Sequence, residues 1–505
     1  MSDLTKTPGT PDPRPDDATA ATPAPEATDA PNATAATPAP EATAATPAPE
    51  ATDAPDATDA TPAPEATDAP KTPAPPATPA DPKAPLPADA GGSAAPVPAV
   101  DPRLLVREEG LKGYWTEFTR KVRGGELGSL PVFIGLIVIA IVFQAQNSNF
   151  LSASSVANIA VYTSGLGIMA VGIVFVLILG EIDLSVGSVA GVGAAVWAVL
   201  NVSNGMNDWL AVALAVLSGL ALGLLHGFFF AKIGVPAFVV TLAGFLGWSG
   251  LQIWLMGQEG SINAPTGSVV EHLTGYYFED KAAAYGLALV AVLAYAGSLL
   301  LDSRRRRAAA LPSRPVSEIV LRAGFVAVLC FVVAYVLNEP AGARGLPLAL
   351  VLFLAVLVVA DFVARRTTFG RQVFAVGGNA EAARRAGIDV DRVRIVVFGL
   401  SGMLAAFGGL FVASLSGGAT KSLGGGNTLM LVIAAAVIGG TSLFGGRGKV
   451  WSALLGMIVI QSIQQGLNML GMASEIQYMI TGAVLLAAVV IDSVSRRTQK
   501  TAGRA

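Results

Sequence analysis

The sequence predicts an all-α polytopic membrane protein of about 10–12 transmembrane helices, some of them short or broken, behind a disordered N-terminal tail. Composition gives the first reason: 52% of the 505 residues are hydrophobic and 14% charged, against about 25% charged in an ordinary soluble domain. Repetition gives the second, because apolar runs near the roughly 20 residues needed to cross a hydrocarbon core recur throughout 130–492. Charge gives the third: lysines and arginines gather in every second connection between those runs.

Residues 1–100 are rich in Pro, Ala, Thr, Asp and Glu, and the heptapeptide TPAPEAT starts at Thr22, Thr37, Thr46 and Thr61. With few large apolar residues and many prolines, nothing offsets the entropy of ordering this stretch, so it is expected to be disordered and partly polyproline-like. It shows no signal-peptide core, since no apolar run of sufficient length precedes Leu130. Residues 101–129 form a basic juxtamembrane segment, with Arg103, Arg107, Lys112, Arg120, Lys121 and Arg123 placing the start of the first span in the cytoplasm.

The transmembrane domain, 130–492, divides into apolar segments at 130–146, 156–180, 186–200, 209–230, 237–256, 283–301, 320–337, 346–363, 395–414, 429–438, 450–470 and 476–491. With the N-terminus inside, the cytoplasmic loops hold Lys232, Arg304 to Arg307 with Arg314, seven arginines between Arg365 and Arg394, and Arg447 with Lys449. The outside loops hold only Lys281, Arg344 and Lys421. Both termini are therefore expected in the cytoplasm, the second as a tail over 493–505. Segments 186–200 and 429–438 are short for a span and read as broken or re-entrant helices.

Cys330 is the only cysteine, which excludes an intrachain disulfide and a cysteine-rich metal site. His226 and His272 have no second histidine at ligand spacing, so both read as structural or loop residues and no metal is expected. The chain carries no phosphate loop of its own. At Gly448-Lys449 the required first glycine is Leu443 and the last position is Val450.

Three sites stand out. Gly180-Glu181-Ile182-Asp183-Leu184-Ser185-Val186-Gly187-Ser188 sets two carboxylates at or near a membrane boundary, where they need solvent, a partner or backbone amides. Asp183 or Ser185 can cap the helix that begins near Val186. The alternatives are a place in a translocation path or gate, for Glu181, Asp183, Ser185 and Gly187, and a proton relay, which lacks a His or Lys nearby in sequence. The second site, Gly439 to Arg447, repeats the spacing of Gly180, Leu184 and Gly187 in Gly439, Leu443 and Gly446, as an internal repeat or chance would. The third is the loop 364–394. There Asn379 suits an N-cap, Glu381 a first turn, Arg384 and Arg385 a last turn and Gly387 the C′ position of a two-turn helix. Such a helix, with Ala382 and Ala383 in its middle, would serve to dock another subunit or would lie on lipid headgroups.

Taken with VPAFVVTLAG (235–244), FGRQVFAVGGNAEAARRAGI (369–388), VIGGTSLFGGRGKV (437–450) and DSVSRR (492–497), these sites resemble the permease subunits of ribose- and xylose-type ABC importers, most closely the xylose type, over about residues 127–497. Glu181, where many relatives carry Gly, and the extended connection around Arg304 to Arg307 are similar to the xylose branch. The resemblance implies a permease in the bacterial plasma membrane that moves a small neutral sugar, with xylose expected and ribose the alternative. It implies a separate ATP-binding subunit that uses ATP and Mg, an extracytoplasmic sugar-binding protein and a second permease copy, with no cofactor on this chain and no nucleic-acid partner. By the same resemblance, the region 379–387 is similar to the coupling helix that docks on the ATP-binding subunit. A sugar path should offer neutral hydrogen-bonding groups; Asn158, Tyr162, Thr163, Ser164, Gln252 and Asn427 are candidates, though each is more readily expected to bond a neighbouring helix than a substrate. The rival readings are an ion-coupled secondary carrier using Glu181 and Asp183, and a membrane scaffold whose working part is the tail.

Overall fold

The computed structural model describes residues 130–309, 313, 315–339 and 342–501. The expected tail over 1–100, the basic segment over 101–129 and Arg314 lie outside the described residues.

Every apolar segment forms a helix. The first is α1 (Leu130–Gln146), followed by α2 (Ala153–Leu179), in which Ser152 Oγ accepts from the Ser155 amide as N-cap. Next come α3 (Val186–Ala198), α4 (Asp208–Phe228) and α5 (Ala237–Met256). The connection after α5 carries β1 (Ser261–Asn263), α6 (Val269–Gly275) and β2 (Tyr277–Phe278), before α7 (Lys281–Ala308) and α8 (Val316–Asn338). Strand β3 (Leu346–Pro347) leads into α9 (Leu348–Arg366), then α10 (Thr368–Gly378), α11 (Ala380–Arg385) and α12 (Val390–Leu415). The chain finishes with β4 (Gly418–Thr420), α13 (Gly426–Ile438), α14 (Trp451–Met469) and α15 (Ser474–Thr501). The last helix runs past residue 492, so the expected C-terminal tail begins as helix.

Among the described residues, eight helices are long and apolar enough to cross a membrane, and Pro131–Gln146 and Asn427–Ile438 are shorter apolar helices. The third segment reaches spanning length because a π turn over Val199–Ser203 prolongs α3, giving 18 residues from Val186 to Ser203. A second π turn, Phe229–Ile233, prolongs α4 and stops at Gly234 with φ +84°. The third-from-last segment stays short, 13 residues in α13, as the sequence led us to expect.

The core is built around α2, which is apolar on all sides and buried on nearly all of them. It packs on α12, α14 and α9, while α12 also packs along α4 and α3. Small residues set the closest of these contacts. Gly219, Gly223 and Gly227 follow one another at four-residue spacing on α4, and each faces the α12 backbone: a Cβ on any of them would overlap Gly402, Phe398 or Ile395 main-chain atoms. In lipid, where apolar burial between helices yields little, such backbone approach and its dispersion contacts drive association. By contrast α7 and α8 pair with each other and leave most of their apolar surface outward, as lipid-facing helices do. Two short antiparallel ribbons, β1 with β4 and β2 with β3, tie the loops together, with Ile262 opposite Ala419 and Tyr277 opposite Pro347.

Candidate functional site

The loop 364–394 holds two helices where the sequence suggested one. Thr367 Oγ1 accepts from the Gly370 amide at 3.1 Å and starts α10, an amphipathic helix that the basic composition of the loop concealed. Asn379 both ends α10 and starts α11, with its Oδ1 accepting from the Ala382 amide at 2.9 Å. At the other end Gly387, at φ +82°, occupies C′: its amide donates to Arg384 O and the Ile388 amide to Ala383 O, both at 3.0 Å. Together they complete the left-handed stop that glycine adopts at least cost. Ala383 is buried against the bundle while Glu381, Ala382, Arg384 and Arg385 face outward. Glu381 accepts from Arg385 at 3.3 Å and Arg384 at 3.4 Å. A six-residue helix is far below the length that is stable alone. Its caps and the Ala383 contact hold it.

The three glycine-rich motifs meet beside that helix. Gly180 ends α2 at φ +86°, and its amide donates to Leu177 O at 2.9 Å. The Gly446 amide donates to Ile178 O at 2.8 Å, and Gly180 lies against Gly445. From α10, Gly377 touches the same Ile178 carbonyl, which a Cβ at Gly377 would overlap. The two sites whose spacing matched are thus in backbone contact with each other. Gly445 and Gly446 have φ of +79° and +69°, the left-handed region in which other residues are strained.

Beyond Gly180 the chain runs without helical bonds as far as Val186. We expected Asp183 or Ser185 to cap α3, and neither does: Ser185 makes no side-chain cap bond. The Asp183 carboxylate is taken up elsewhere. Its Oδ1 accepts from the Ser185 amide at 2.9 Å and Ser185 Oγ at 2.6 Å, and its Oδ2 accepts from Ser401 Oγ on α12 at 2.9 Å. Ser185 Oγ lies 3.2 Å from His226 Nδ1, and Trp248 Nε1 donates to His226 Nε2 at 2.8 Å. Indole nitrogen can only donate, so Nε2 is the bare nitrogen and the imidazole proton sits on Nδ1. From there it points at Ser185 Oγ, whose own proton goes to Asp183. Asp183, Ser185, His226 and Ser401 are all buried, so this chain of donors converging on one carboxylate is what makes the charge tolerable there. In the sequence His226 reads as a structural or loop residue with no second His at ligand spacing, and no His or Lys stands near Asp183. It is 41 residues from Ser185 along the chain and in contact with it in space. His272, in α6, bonds Ser268 O through Nδ1 at 2.7 Å.

The remaining candidates separate by what they touch. Gln252 is buried and donates to Thr420 O at 2.8 Å and Leu423 O at 3.1 Å, which pins α5 to the segment ahead of α13. Ser164 Oγ donates to Ala160 O of its own helix at 2.7 Å. Thr163 is buried with its hydroxyl unpartnered among the described residues. Gly187 packs on Gly424. Glu181 is half-buried, Asn158 is half-buried, and Tyr162 and Asn427 are exposed. Asn158 and Tyr162 are four residues apart on the open face of α2. No group of three or more metal-ligating side chains occurs among the described residues.

Residues 155–489 match the family described as branched-chain amino acid transport system / permease component. The xylose transport system permease protein of Escherichia coli is 36% identical over 374 residues, covering 73% of this chain and 93% of that protein. The chain belongs to this permease family, in its xylose- and ribose-type ABC importer branch. The Haemophilus influenzae xylose permease is 33% identical over 73% of this chain and 98% of its own length. The ribose import permease of Bacillus subtilis is 30% identical over 75% and 96%. No solved structure matches the chain. A permease of this family with eight spanning-length apolar helices is a multi-pass membrane protein.

Proposed function

We propose that the chain is the permease subunit of a bacterial importer that carries xylose across the plasma membrane with ATP hydrolysed elsewhere. The observation that carries this reading is the 36% identity to the Escherichia coli xylose permease across 93% of that protein's length. A separate ATP-binding subunit hydrolyses ATP with Mg, an extracytoplasmic binding protein delivers the sugar, and two permease copies enclose the path. Both termini lie in the cytoplasm, consistent with the arginine-rich connections there. The chain itself holds no cofactor.

In this reading Asn379, Glu381, Ala382, Ala383, Arg384 and Gly387 form the element that docks on the ATP-binding subunit. The capped helix and its outward Glu381, Ala382 and Arg384 supply a small rigid knob for that purpose. The break at Glu181, Asp183, Ser185 and Gly187 transmits or gates movement, and Asn158, Gln252 and Asn427 stand at or near the path. Switching the cavity requires that docking energy differ between its two conformations.

The test is uptake of labelled xylose, with ribose as competitor, by proteoliposomes holding this chain, the ATP-binding subunit and the binding protein. ATP-dependent xylose uptake is the expected result. Uptake without ATP or without the ATP-binding subunit would refute the importer reading in favour of an ion-coupled carrier. ATP-driven uptake of ribose alone would keep the machine and replace its cargo, the alternative that the 30% identity to the Bacillus subtilis ribose permease leaves standing.

A further inference from the structure

We propose that Ser185 and His226 are positioning residues for energy coupling, their hydrogen bond holding the 180–185 break against α4 so that movement received at the Gly377–Ile178–Gly446 junction turns the spanning helices. The proposal rests on the importer reading and adds the route by which docking reaches the bundle.

Three observations carry it. The break begins at the junction itself, since Gly180 lies against Gly445 and the carbonyl two residues before it receives the Gly446 amide. Between that point and α3 the chain has no helical bonds to hold its shape, so the side-chain bonds of Asp183 and Ser185 fix it. Those bonds reach two other helices, at Ser401 on α12 and His226 on α4, and His226 in turn accepts from Trp248 on α5.

The receiving helices are arranged to move as a body. His226 precedes Gly227, one of the three glycines that bring α4 onto the α12 backbone, so a pull on His226 is a pull on both helices. On α5, Gly244 leaves the room that the imidazole needs. A Cβ there would stand 2.9 Å from His226 Cε1 and 3.0 Å from Trp248 Nε1. Thr241, one turn earlier, also places its hydroxyl 3.4 Å from Ile182 O of the break. A merely space-filling core would be served as well by apolar residues of the same volume. A directed donor chain instead fixes one register of the break, and it can exchange partners when the helices turn.

The experiment reads ATP hydrolysed per xylose imported by the reconstituted full complex. Ser185→Ala and His226→Gln each remove the bond, from opposite ends, whereas His226→Asn keeps a donor near the Nδ1 position. Each of the first two variants is expected to raise the ATP used per xylose about tenfold, within the range of such pairwise couplings. Combined, they should do no more than Ser185→Ala alone, which already removes the bond to His226 together with the hydroxyl donor to Asp183. His226→Asn should stay within about threefold of the unsubstituted protein. The proposal is overturned if the double variant multiplies the single effects. It is equally overturned if ATP use and uptake fall together in every variant, in step with the thermal unfolding midpoint. If His226→Gln yields no folded complex, Ser185→Ala alone carries the prediction. Failure of the importer reading looks different: the unsubstituted complex would show no ATP-dependent xylose uptake at all.

Discussion

Gly377→Ala tests the junction beside the docking helix most directly. Its new methyl would overlap the Ile178 carbonyl oxygen and stand 2.8 Å from the carbonyl carbon and 3.0 Å from the Gly446 nitrogen. Restoring ordinary contact to that carbon requires α10 to retreat by about 0.6 Å or more. The Gly446-to-Ile178 bond, now 2.8 Å, competes for the same oxygen and would be stretched or lost. Overpacking costs about 1–3 kcal/mol and leaving the half-buried Gly446 amide unpaired at most about 1–3 kcal/mol, so up to about 2–6 kcal/mol is at stake. The assay pairs the thermal unfolding midpoint in detergent with xylose uptake by the reconstituted complex. Gly378→Ala is the control, since a Cβ there meets nothing within 4 Å. Gly377→Ala should lower both readings while the control leaves them unchanged. Equal behaviour of the two variants would refute the reasoning.

Other expectations follow from single contacts. Asn379→Ala removes the cap of α11, worth about 1 kcal/mol, and should weaken association with the ATP-binding subunit about fivefold in a nanodisc binding assay; unchanged affinity would count against the docking role. Gly223→Ala pushes a methyl into Phe398 O on α12 and should destabilise by about 1–3 kcal/mol, while Gly247→Ala on α5, with open space, should not. Gln252→Leu leaves the carbonyls of Thr420 and Leu423 without their amide donor. It should cost about 1–3 kcal/mol, seen as a lower unfolding midpoint, and a midpoint equal to that of the unsubstituted chain would show the contact to be idle.

Periodicity and composition carried the fold a long way. The segment read at 237–256 is the helix Ala237–Met256, and the others differ mainly by the polar turns that extend them, since hydropathy falls at a membrane surface before the helix ends. Local chemistry was legible too: Asn379 and Gly387 stand where their side-chain amide and missing Cβ are needed. Two things were not. Helix α10 hides its apolar face, Val373 and Val376, among polar residues in a loop whose arginines dominate the reading. The Asp183 chain joins the break to residues on three helices, and no local spacing announces that His226 or Ser401 will be its partners. The glycines at 219, 223 and 227 did carry a signal, the four-residue interval of closely packed membrane helices.

The Asp183–Ser401 bond has a consequence for biosynthesis. Ser401 is made 218 residues after Asp183, which at 5–20 residues per second is a delay of about 10–40 s. Throughout that interval the carboxylate has Ser185 beside it but not its α12 donor, and an uncompensated charge is poorly tolerated in hydrocarbon. The nascent α2–α3 pair therefore has to wait in a wet or protein-lined vestibule until α12 emerges. Final burial of the earliest core helices is thereby tied to translation of nearly the whole membrane domain.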